Sequence, residues 1–170
     1  MKAKRLALSL GIGLAATAAL VAPIHGLSAG SRDDARPMVQ RALAALDKGD
    51  PRVARVELMN AIRADPNWAT ARVAQARVLL ALGDGLGAKG QLDRARALGA
   101  SSATTRHLMA HALLLSGDPT LALTEAQATD VPAAYAAYAA RIAGCALQAQ
   151  DKAAEALAAF DRSLELAPKD

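Results

Sequence analysis

Three side chains in this sequence have the types and spacing to hold a metal ion: His107, His111 and Cys145. The two histidines stand four residues apart, which sets them on one face of a helix at a distance that can chelate zinc. Cys145 comes 34 residues after His111 and falls at its level on a neighbouring helix. No acidic residue joins the three, so they read as a polar wall with an ordinary buried thiol, and no metal is expected. A second candidate, Gly83-Asp84-Gly85-Leu86-Gly87, has the glycine content of a phosphate-binding loop but follows no strand. It reads as a turn between two helices, looser than its neighbours. Ser, His and Asp residues are present without a spacing that singles out a nucleophile. No catalytic residue, no cofactor and no enzymatic activity are expected.

The elements that position these residues follow from composition and periodicity. Apolar residues are 53% of the chain and aromatics only 2%, with alanine and leucine supplying the rest. That balance favours closely packed helices over a β-sandwich, which needs β-branched and aromatic residues. A single cysteine rules out an intramolecular disulfide.

Charge is concentrated at the start. The formal net charge is +4, but Lys2, Lys4 and Arg5 supply three of the 20 basic residues against 16 acidic ones. The remainder is nearly neutral, with both signs interleaved and few aromatics to stack on bases, so nucleic-acid binding is not expected. The basic start, the uncharged run Leu6 to Ile24 and the small residues around Ala29-Gly30 have the layout of a secretory signal. Residues 1–30 are read as a signal peptide, cleaved near Ala29 or Gly30, with no membrane span left after processing. The alternative is an uncleaved anchor in the inner membrane, which Gly11, Gly13 and Pro23 disfavour. No cysteine follows the small residues, so a lipid anchor is not expected.

A period of 34 residues runs through the rest. Gly49, Gly83 and Gly117 keep it and land on Asp151; Asp50, Asp84 and Asp118 follow them. Ala54, Ala88, Ala122 and Ala156 form a second column, Leu58, Leu92, Ala126 and Phe160 a third, and Ala42, Ala76, Ala110 and Gly144 a fourth. In each unit a helix ends at the glycine, the aspartate caps the next, and that helix buries its alanine and leucine columns. Pro37 and Pro51 suit first helical positions. Helices are expected near 36–48, 51–64, 69–82, 86–98, 103–116, 119–128, 132–149 and 152–166. Val131-Pro132 is positioned to end the sixth early and start the seventh sooner.

These columns resemble the tetratricopeptide repeat over about residues 35–170. The family's early aromatics are missing, with Met38, Arg72, Arg106 and Ala140 in their places. The resemblance implies an all-α fold: a right-handed superhelix of antiparallel helix pairs in a domain spanning 31–170, with units at about 35–68, 69–102, 103–136 and 137–170. It also implies a concave face lined by first helices. Val39, Leu43, Val73, Arg77, His107, His111, Tyr138, Arg141 and Cys145 then line a groove that grades from aliphatic to basic. The implied function is a non-enzymatic scaffold gripping a peptide or partner protein, with an acidic group near Arg77 or Arg141. The carboxylate-gripping Lys and Asn of the chaperone-binding members are replaced by Val39, Leu43, Val73 and Arg77. Likeness to repeat proteins of bacterial exopolysaccharide and secretion systems implies a periplasmic place in the cell envelope. The sequence stops after a repeat with no extra polar helix, which suggests self-association through the last unit or a longer array.

Overall fold

The structure, a computed structural model, describes residues 31–167. The signal expected over 1–30 and the last three residues of the chain lie outside them. Eight helices follow in order, with no strand among the described residues: α1 (Arg32–Asp47), α2 (Pro51–Ala64), α3 (Ala69–Ala81), α4 (Gly85–Ala97), α5 (Ser102–Leu115), α6 (Pro119–Ala126), α7 (Ala133–Gln148) and α8 (Ala153–Leu166). Each odd helix packs on the even one that follows, giving four antiparallel pairs. Odd helices also touch one another along the array and even helices do not, so the stack curves with odd helices inside. No helix among the described residues is long and apolar enough to cross a membrane.

The recurrent turn explains the pairing. Gly49, Gly83 and Gly117 have φ of 77°, 77° and 81°, a left-handed conformation in which glycine avoids a β-carbon clash. The next aspartate then accepts the N–H three residues on: Asp50 from Val53, Asp84 from Gly87 and Asp118 from Leu121, at 3.2, 2.8 and 3.0 Å. The Gly83 turn matches the other two, so the added glycines do not loosen it. A β-carbon at Gly85 would stand 2.7 Å from the Ala112 carbonyl oxygen and the Leu115 β-carbon. Glycine there lets the first turn of α4 press against the end of α5.

The columns form the core. Ala42, Ala54, Leu58, Ala61, Ala76, Ala88, Leu92 and Ala110 are wholly buried, so paired helices approach through alanine on one side and leucine on the other. Where the family's aromatics are missing, two arginines clamp neighbouring segments instead. Arg72 donates to the Pro66 carbonyl and to Gln91, and Arg106 donates to Glu125 and Asp130.

Two helices depart from expectation. α1 starts at Arg32 because Ser31 and Asp34 form a capping box, each accepting the other's backbone N–H. Pro37 therefore lies in the second turn of α1 rather than opening it. α6 stops at Ala126, two residues short of the expected end. No glycine follows it, and Val131-Pro132 turns the chain into α7, with Pro132 at the cap position.

Candidate functional site

The inner face of the third and fourth pairs carries a cluster of imidazole and phenol rings. His107 and His111, one turn apart on α5, face Tyr135 and Tyr138, three apart on α7. The His107 ring stacks on Tyr135 with centroids 4.0 Å apart and planes within 13°, and meets the edge of Tyr138 at 5.4 Å. His111 Nδ1 lies 2.5 Å from the Tyr138 hydroxyl. Arg141, one turn further along α7, places its guanidinium carbon 4.8 Å over the Tyr138 ring.

The electrostatics of this cluster are one-sided. Burial pushes the His107 pKa down to about 4, helped by the positive charge of Arg77. Burial and then Arg141 lower that of His111. Burial raises the Tyr138 phenol, against the pull of Arg141 and Arg77. Both imidazoles are therefore neutral at pH 7, and the charge of the face belongs to Arg77 and Arg141. Both arginines are exposed, and neither forms a salt bridge to an acidic side chain among the described residues. His107 Nδ1 is buried without a hydrogen-bond partner.

The expected groove residues divide into two groups. His107, His111, Tyr138, Arg77 and Arg141 come together. Val39 is 6% exposed and belongs to the core of α1, α2 and α3, so it supports the face from beneath instead of lining it. Leu43 and Val73 are half-buried against the two larger core clusters. The aliphatic end of the expected groove is thus mostly spent on packing. Cys145 is a half-buried free thiol on α7, and no group of three His, Cys, Asp or Glu side chains is placed to hold a metal among the described residues. Tyr135 was not among the expected residues. Its signal was the three-residue step to Tyr138 within the helix expected over 132–149; the position one period earlier is Ser101, the cap of α5, so the repeat columns marked no groove site there.

No protein-family model and no curated protein matches the chain. Solved structures do match it. MamA from residue 41 to its end, from Desulfovibrio magneticus RS-1, superposes with a TM-score of 0.62 at 22% identity, covering 84% of this chain and 79% of that one. A double mutant of MamA from RS-1 gives the same values. YrrB, a TPR protein with an unusual peptide-binding site, superposes with a TM-score of 0.51 at 17% identity over 82% and 89% of the two chains. At these identities the likeness is one of fold, and that fold is the tetratricopeptide-repeat array.

Proposed function

We propose that the chain is a non-enzymatic scaffold that binds a peptide segment of a partner protein across the inner face of α3, α5 and α7. The observation that carries this reading is the pair of exposed arginines, Arg77 and Arg141, bracketing a ring cluster with no salt bridge to an acid among the described residues. An acidic side chain or a terminal carboxylate of the peptide would supply the missing charge through bidentate hydrogen bonds. Tyr135 and Tyr138 offer flat, rigid surface for the peptide's apolar atoms at little entropic cost. The pre-formed hydrogen bond between Tyr138 and His111 holds the phenol in place before the peptide arrives. YrrB's peptide-binding site lends the reading an analogy of fold and nothing closer.

We place this scaffold outside the cytoplasm. The support is the order of residues 1–30: cations first, then the uncharged Leu6 to Ile24, then the small residues up to Gly30. A periplasmic partner in an envelope assembly fits that address.

Selection of binders from a random peptide display library tests the proposal. Enrichment of Asp, Glu or a free C-terminus on the native protein, lost on Arg77→Glu/Arg141→Glu, is the expected result. Enriched peptides with no acidic group, or binding indifferent to both arginines, would overturn it.

A further inference from the structure

On the far side of α7 from Tyr138 lies a cleft of about 680 Å³ between the end of α6 and α8, floored by α7. An equivalent cleft one repeat earlier, between α4 and α6, holds only about 240 Å³. The difference is written in the 34-residue step. Arg96 closes the earlier cleft by donating both of its terminal nitrogens to Glu125. One step on, those two positions hold Asp130, which Arg106 already engages, and Ala159. Met109 and Thr124, which fill the earlier cleft, become Ala143 and Ala158.

The α8 wall of this cleft is Glu155, Ala158, Ala159 and Arg162. These positions share one helical face at spacings of three, one and three. Glu155 and Arg162 are exposed, and neither forms a salt bridge among the described residues. Read backwards, the wall is its own electrostatic complement. If two such helices cross antiparallel with a two-fold axis between residues 158 and 159, Glu155 of each lies opposite Arg162 of the other. Lys152 likewise lies opposite Glu165, and the crossing point itself is alanine against alanine. Small residues at the crossing let two helices approach closely, and a two-fold makes each contact occur twice.

We infer that this cleft is a homodimer interface, and that its occupant is α8 of a second copy of this chain. The charge order of α8 selects an antiparallel copy of itself, and the alanine floor supplies room for it. The surface lies on the other side of α7 from the peptide face, so it stands or falls independently of peptide binding.

Sedimentation or light scattering of the full chain at roughly 100 μM, in low salt, reads the result. The native protein is expected to be a dimer. Glu155→Arg and Arg162→Glu, each placing like charges opposite at two symmetric sites, should each weaken it on the order of tenfold or more. The double exchange, Glu155→Arg with Arg162→Glu, should restore it. A native monomer, a dimer indifferent to both reversals, or a failure of the exchange to restore association would overturn the inference.

Discussion

The Phe160 ring lies against Gly144 so closely that a β-carbon at 144 would stand 2.5 Å from it. The same pair of columns is Ala42 with Leu58 in the first unit and Ala76 with Leu92 in the second. The fourth unit has exchanged small for smaller and large for larger, conserving the space between α7 and α8.

Gly144→Ala should therefore destabilise the protein by about 1–2 kcal/mol, since overpacking outweighs the gain of alanine in a helix interior. Adding Phe160→Leu should recover most of that loss by rebuilding the pair found in the first two units. Urea denaturation of the single and double variants checks both halves of the prediction.

Asp151 takes the turn position of Gly49, Gly83 and Gly117 with a side chain in place, at φ 60°. Left-handed backbone costs a residue with a β-carbon, though less for aspartate than for most. Asp151→Gly should raise stability by about 0.5–1 kcal/mol, and Gly83→Ala should lower it by about 1 kcal/mol or more. Thermal melts of the two variants should shift in opposite directions.

Glu125 accepts hydrogen bonds from both Arg96 and Arg106 and ties the short α6 to its neighbours α4 and α5. Glu125→Ala leaves two partly buried arginines without that partner and should cost about 1–2 kcal/mol. Hydrogen exchange should locate the loosening in α6.

The buried imidazole of His107 makes stability pH-dependent in a defined window. Its folded pKa of about 4 lies below the ordinary value of 6.5, so between those limits the unfolded chain binds a proton that the folded chain does not. Stability should fall as pH drops from 6.5 toward 4, on the order of 1–3 kcal/mol, and this contribution should level off below. His111 acts in the same direction. His107→Phe keeps a ring against Tyr135 and removes the titration. Its stability should vary less than the native protein's across that window, as measured by denaturation at several pH values.

The fold was legible in sequence because the turn chemistry repeats letter by letter: Gly49-Asp50-Pro51 and Gly117-Asp118-Pro119 set two of the four hairpins, and Gly83-Asp84 a third. What escaped was set by departures from the period. Ser31 and Asp34 cap α1 through a box four residues before the first helix was expected, and Pro37 did not stop it. Tyr135 escaped although a helix was expected from 132: its counterpart one period earlier, Ser101, caps α5, so the repeat marks no groove site there, and the extra first turn of α7 sets its ring against His107. The groove residues of the first two units, Val39, Leu43 and Val73, shared their periodicity with the core, and helical spacing alone cannot separate a wall from what lies beneath it. Arg77, Arg141, His107, His111 and Tyr138 were legible because polar and aromatic side chains on an otherwise alanine-rich face have few ways to be buried.

The most direct measurement is the affinity of one library-selected acidic peptide for the native protein and for Arg141→Glu, by fluorescence anisotropy at two salt concentrations. Arg141 contacts Tyr138 and carries the charge, so its reversal should weaken binding by on the order of 100-fold, with the native affinity itself falling as salt rises. Arg141→Glu binding within about twofold of native, with no salt dependence in either protein, would contradict an anionic peptide on this face.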